Sequence, residues 1–190
     1  MKKGMLWICA VLLMALAVLL PTLLATGNGA IEIVTITVGV TLYHFAMRLA
    51  VGTIVNGIMK NRADPRSAWF RERRFERALY RGLCVRRWKK YLPTYDKDAF
   101  DTRTKTVRQI VGATCQAEVV HEIIMVLSLL PIALAPILGG AAALVVTSVL
   151  AMLVDSLFVV LQRYNRPKLV RVMERFDTLK FSIPQKTDRL

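Results

Sequence analysis

At 190 residues, 55% of them hydrophobic, the chain is too apolar for an ordinary soluble domain, yet its formal net charge is +14. The two properties fit together only if apolar and charged residues occupy separate stretches, which argues against a soluble enzyme and for a polytopic membrane protein. Three scattered cysteines, Cys9, Cys84 and Cys115, have no CxxC spacing and argue against a disulfide framework or a structural zinc site.

Crossing the hydrocarbon takes about 20 mostly apolar residues. Residues 5–26 satisfy this, with a kink expected at Pro21. Lys2 and Lys3 ahead of that run also resemble the start of a signal peptide. The run is long for one and contains Pro21, so a retained span is expected. Residues 30–59 make a second span, interrupted by His44, Arg48 and Asn56. Residues 60–112 follow as a basic cytoplasmic or interfacial loop. The third and fourth spans are 118–138, with Pro131 and Pro136, and 141–162, with Asp155. The expected fold is all-α: a single membrane domain of four transmembrane helices in two hairpins, with a partly helical basic loop between them.

Charge sets the orientation. Of the 27 Lys and Arg residues, 2 lie at the N-terminus, 16 between Lys60 and Arg108, and 8 between Arg163 and Arg189. The short connections 27–29 and 138–140 carry none. By the positive-inside rule, the N-terminus, the central block and the C-terminus face the cytoplasm of a multi-pass cell-membrane protein.

Within the basic block, Asp64 is placed to cap a helix and Pro65 suits its first position. Trp69, Phe75, Leu79 and Leu83 recur at near-helical spacing. This predicts an interfacial amphipathic helix, its aromatics among headgroups and its arginines on anionic phospholipids. The phrase LPTYDKDAF breaks it, and a helix restarts from Thr102. The block has no helix-turn-helix, RNA-recognition or zinc-finger pattern and is tethered to a bilayer, so nucleic acid is not an expected partner.

Ionisable side chains at bilayer depth are costly and ordinarily face the bundle interior, which makes each a functional candidate. His44 and Arg48 share a face of the second span. Cys115, Glu118 and Glu122 share one on the third, with His121 beside them. Ser148, Asp155 and Gln162 form a stripe on the fourth. His44 lies 16 residues before Lys60, and His121 lies 13 after Arg108, so at about 1.5 Å per residue the two reach similar levels. A pocket opening to the cytoplasm is expected there. An unpaired Arg48 at such depth costs at least about 2.5–3.5 kcal/mol. Contact with Glu122 or Glu118 is expected to offset this, with Asp155 less favoured. The pair His121–Glu122 opens like a zincin motif, but the required second histidine is replaced by Met125 and no metal is expected.

Three phrases carry a resemblance: VRRWKKYLP at 85–93, QAEVVHE at 116–122 and QRYNRPKL at 162–169. In this order and spacing they resemble the glycosyl-4,4'-diaponeurosporenoate acyltransferase family, small membrane proteins that esterify a fatty acyl chain onto the sugar of a glycosylated carotenoid. The resemblance runs from about Trp69 to Arg175. Gln116, Glu122 and Lys168 depart from the family's usual residues. It implies a membrane acyltransferase that uses a thioester donor, acyl-CoA or acyl carrier protein, with no bound cofactor and with a lipid or glycolipid hydroxyl as acceptor. The serine-nucleophile phrase GxSxG and the glycerolipid phrase HxxxxD are both absent.

The residues suggest the division of labour. His121 is the candidate general base, since imidazole takes a proton near neutral pH. Glu118, one turn earlier, is expected to fix its tautomer, and His44 is the competing base. Arg48, Glu122 and Asp155 are candidate substrate-binding groups. Gln162, Arg163, Asn165 and Arg166 are expected to form a polar floor that binds a headgroup or the donor's phosphates. The alternative is a non-enzymatic scaffold or lipid-binding protein whose polar stripe only packs helices.

Overall fold

The computed structural model describes residues 2–92, 100–101 and 103–182, and among them it is entirely helical apart from turns. Four helical stretches are long and apolar enough to cross a membrane. Helix α1 (Lys2–Thr26) buries no side chain and packs on α2 (Gly29–Met59). The apolar surface that follows Lys2 and Lys3 suits lipid, where a helix satisfies its backbone polar groups internally. The helix is continuous through Pro21. The hairpin to α2 turns at Gly27, and the Asn28 side chain accepts from the Ala30 amide at 2.8 Å.

Helix α2 ends where Lys60 and Asn61 both adopt left-handed backbone, φ 47° and 55°. Such a turn is costly for L residues other than glycine, although asparagine tolerates it best. Helix α5 (Val107–Leu127) holds the turn in place. The Asn61 amide donates to Gln116 Oε1 at 2.8 Å, and Gln116 Nε2 donates to Asn56 Oδ1 at 3.1 Å. The Asn61 carbonyl lies against Gly112 of α5, where a Cβ would stand.

Between these helices the chain makes turns, then α3 (Glu76–Gly82), α4 (Val85–Trp88) and a 3-10 turn (Lys89–Tyr91). The helix expected to start at Asp64 is therefore confined to Glu76 onward. Asp64 Oδ1 accepts from the Arg66 amide at 2.9 Å, which closes a tight local turn around Pro65 in place of a helix cap. The carbonyls of Trp69, Phe70 and Arg71 point at arginines of the last helix and are unavailable to a helical ladder.

Helix α5 begins at a capping box: Thr106 Oγ1 accepts from the Gln109 amide, and Gln109 Oε1 accepts from the Thr106 amide at 2.9 Å. It thus starts eleven residues before the expected third span. After Leu127 the path breaks into α6 (Leu130–Ala133) and α7 (Ala135–Leu138), each opening with a proline that cannot continue the ladder above it. Gly139 and Gly140, at φ 71° and 60°, reverse the chain. Helix α8 (Ala141–Ser182) then runs past the expected end at 162, straight through Pro167. It packs most extensively on α5, while Met47, Val51 and Val55 of α2 form an apolar core with Ile124 of α5.

The Lys60–Asn61 turn yields a test. Gly112→Ala sets a methyl group against a backbone carbonyl and is expected to destabilise by about 1–3 kcal/mol, as overpacking does. Gly52→Ala, at a helical glycine with nothing within 4 Å, is expected to leave stability unchanged or raised. Thermal unfolding of both variants in detergent separates the outcomes.

Candidate active site at the basic end of the bundle

Two carboxylates organise the polar interior. One is Asp155 on α8, 2% exposed. Arg48 of α2 donates to its Oδ2 through Nη2, while Arg48 Nη1 donates to the His44 carbonyl at 3.0 Å. The other carboxylate oxygen, Oδ1, lies 2.8 Å from His121 Nδ1 on α5. One side chain of α8 therefore ties α2 to α5. The His121 ring also stacks on Phe158, one turn along α8 from Asp155, with centroids 4.6 Å apart and planes 8° from parallel. Its side chain keeps 19% of its surface exposed, against 3% for Asp155.

This corrects two expectations. Arg48 was expected to meet Glu122 or Glu118, and it meets Asp155. Helices α2 and α8 run in the same direction, which brings Arg48 level with residues 151–155. Glu118 was expected to orient His121, and Asp155 holds that position. The three ionisable residues of the α5 phrase diverge: Glu118 faces the basic end of α8, His121 faces Asp155, and Glu122 accepts from Trp69 Nε1 at 2.9 Å.

The second carboxylate is Glu118 itself, with no exposed surface. Arg163 Nη1 donates to its Oε1 at 2.6 Å and Arg166 Nη2 donates to its Oε2. Arg163 and Arg166 are three residues apart on α8, so their stems leave one face and close on the carboxylate from two sides. Their remaining donors go to the loop. Arg163 reaches Glu76 Oε1 through Nε and Nη2 at 3.0 and 2.7 Å, and the carbonyls of Trp69 and Arg71 at 3.3 Å. Arg166 reaches the Phe70 carbonyl at 3.3 Å and the Thr114 carbonyl at 3.2 Å, and its guanidinium lies 4.9 Å from the Phe70 ring centroid. Tyr80 completes the chain by donating to Glu76 Oε2 at 2.7 Å, and burial with that bond pushes its phenol well above the usual range.

The expected polar floor of Gln162, Arg163, Asn165 and Arg166 is accordingly corrected for its arginines. Both guanidiniums are occupied by protein acceptors, and Arg166 is only 2% exposed. Asn165 Oδ1 accepts from Lys89 Nζ at 3.4 Å, and Gln162 is half-buried. His44 is buried with neither ring nitrogen bonded among the described residues, and the Ser128 and Ser148 hydroxyls are likewise without partners there. Among the described residues no three His, Cys, Asp or Glu side chains converge as a metal site. Sequence reasoning missed Glu76, Tyr80 and Thr114. The i,i+4 spacing of Glu76 and Tyr80 was the available signal, but nothing in it marks them as buried.

The profile of the glycosyl-4,4'-diaponeurosporenoate acyltransferase family matches residues 65–175, more than half of the chain, and the chain belongs to that family. The matched region includes Glu118, His121, Asp155, Arg163 and Arg166, with the loop they hold. A comparison with curated proteins and one with solved structures find no match. The chain is thus an acyltransferase built on four helices able to cross a membrane.

Removing one partner from a buried ionic network leaves charges uncompensated and costs about 3–5 kcal/mol. Glu118→Ala is therefore expected to lower the thermal midpoint sharply and to expose the Trp69–Tyr80 segment to protease. Glu122→Ala, which removes an acceptor for the exposed Trp69 indole, is expected to do neither. Limited proteolysis in detergent beside a melting curve checks both.

Proposed function

We propose that the protein transfers a fatty acyl group from a thioester donor, acyl-CoA or acyl carrier protein, to a hydroxyl of a lipid or glycolipid acceptor at the cytoplasmic face. The family name supports a glycosylated hydrophobic acceptor. The single observation that carries the mechanism is the 2.8 Å contact between His121 Nδ1 and Asp155 Oδ1, with the carboxylate buried and the imidazole partly open. The Asp155 carboxylate, held by Arg48, accepts a hydrogen bond from His121 Nδ1. The Nε2 lone pair then faces the acceptor hydroxyl.

Nε2 takes the hydroxyl proton as the acceptor oxygen attacks the thioester carbonyl. The tetrahedral intermediate collapses with cleavage of the carbon–sulfur bond, and the Nε2 proton passes to the departing sulfur, giving ester and free thiol. Asp155 stabilises the imidazolium that forms in between. The Phe158 ring holds the imidazole plane, which limits the entropy lost on reaching the reactive geometry. Arg48 positions Asp155. The Glu118 network positions the loop that covers this end of the bundle, and His44 ranks behind His121 because no carboxylate orients it. In this reading both termini lie in the cytoplasm, and the aromatics left exposed on the loop, Trp69 at 57% and Phe75 at 60%, rest among anionic headgroups.

The test is acyl transfer from palmitoyl-CoA to a glycolipid by protein in nanodiscs. His121→Ala is expected to lose about 10²–10⁴-fold in rate, as loss of a general base does. Asp155→Asn is expected to lose in the same direction with its melting temperature measured in parallel, and His44→Ala is expected to stay within several-fold of wild type. A folded His121→Ala enzyme at full rate overturns the assignment.

A further inference from the structure

The bundle's charge is divided in a way the proposed chemistry does not use. Arg163 and Arg166 are consumed by Glu118, Glu76 and loop carbonyls. A second set of cations surrounds an open cleft of about 770 Å³ between the α3–α4 turn and the cytoplasmic stretch of α8. Arg77, Arg81, Arg86 and Arg87 line it from the loop, and Lys168 and Arg171 line it from α8. Glu72 is the one carboxylate among the lining residues, and it accepts from Arg77 at 3.3 Å. Among the described residues no carboxylate pairs with Arg81, Arg86, Arg87 or Arg171.

Local backbone geometry builds this arrangement. Cys84 sits in left-handed conformation at φ 49°, which folds α4 back on α3 and sets Arg81 on one side of the bend with Arg86 and Arg87 on the other. The inner wall is aromatic. Tyr80 and Tyr164 meet edge to face at 5.4 Å, and Lys168 lies 3.8 Å over the Tyr164 ring. Tyr80 is anchored through Glu76 and Arg163 to buried Glu118, so the wall is fixed from within. Cytoplasmic orientation requires cations somewhere on this face, but not gathered around one concavity. Gathered there with Glu72 as the one lining carboxylate, they repel one another, and a bound anion relieves that repulsion. The volume falls within the roughly 300–1,000 Å³ of small-molecule sites.

We propose that this cleft binds clustered phosphates, and that the ligand is the diphosphate-bearing nucleotide head of the acyl donor. The inference rests on the acyl-transfer reading above and favours acyl-CoA over a carrier protein as donor. Lys168 lies 13 residues beyond Asp155 on α8, about 20 Å along a helix, so head and reacting carbonyl must be joined by a long arm. A thioester at the end of a pantetheine arm is built that way. Arginine's planar fork suits the phosphate oxygens, and the tyrosine wall offers a face for a base or for the arm.

Direct binding tests this without turnover. Wild-type protein in phosphatidylcholine nanodiscs is titrated with coenzyme A, with inorganic pyrophosphate and pantetheine as competitors. Saturable binding is expected, displaced by pyrophosphate and not by pantetheine. Arg81→Gln/Arg171→Gln is expected to weaken it at least tenfold, while the charge-matched Lys2→Gln/Lys3→Gln pair stays within twofold. Arg86→Gln/Arg87→Gln repeats the measurement from the other side of the bend should the first pair melt early. Absence of coenzyme A binding, or equal binding by cleft and control variants, overturns the proposal. So does a cleft-variant defect confined to phosphatidylglycerol vesicles, which reassigns these arginines to the lipid surface. Coenzyme A binding by a protein that transfers no acyl group removes the reading of the reaction and leaves the cleft assigned.

Discussion

A carboxylate with no solvent contact needs protein donors in place of its water, and Glu118 has two guanidiniums for that purpose. Most of the architecture at the basic end of the bundle follows from this arrangement. Arg163 and Arg166 extend from one turn of α8 to α5, and each has more donors than Glu118 can use. The surplus reaches the carbonyls of Trp69, Phe70 and Arg71 and the side chain of Glu76. A loop with little apolar core is thereby fixed by charge-assisted hydrogen bonds, which are roughly twice as strong as neutral ones. The loop pays for its order with a helical turn, since those carbonyls no longer serve a backbone ladder.

Helix α8 carries both halves of the design at different depths. Asp155 joins Arg48 and His121, while Arg163 and Arg166, two to three turns further along the helix, hold Glu118 and the loop. The imidazole of His121 is set by a carboxylate on one edge and by the Phe158 ring on its face, both from α8. Helix α5 contributes divergence. Residues 118, 121 and 122 leave it in different directions, so a seven-residue phrase contributes a network anchor, a candidate base and an acceptor for the Trp69 indole. The left-handed Lys60–Asn61 turn lies against Gly112 and is held by Gln116, which joins the end of α2 to α5.

Arginines that look alike in the chain thus do unlike work. Those on the inner face of α8 are neutralised by buried acids and act as braces. Those around the α3–α4 bend have no such acids and keep their charge for the surface. Local geometry makes the difference: a left-handed residue at Cys84 turns one set outward around a cleft, and a three-residue spacing on α8 turns the other inward around Glu118.

The sequence by itself determined the segregation of charge from apolar length, and with it four long helices and the basic face. Those properties are additive along the chain and need no knowledge of neighbours. The phrases around Gln116–Glu122 and Gln162–Leu169 pointed to the family as local strings that likewise need no knowledge of neighbours. Partner choice was another matter. Glu118, Glu122 and Asp155 were all plausible mates for Arg48 and His121, because periodicity gives a residue's face and approximate depth but not the rotation of one helix against the next. Tertiary packing made that choice, through the parallel run of α2 and α8 and the close approach of α5 at Gly112. It also decided that residues 62–75 remain turns despite a helical pattern, because their carbonyls bond across to arginines some ninety residues away, a competition that no local propensity records.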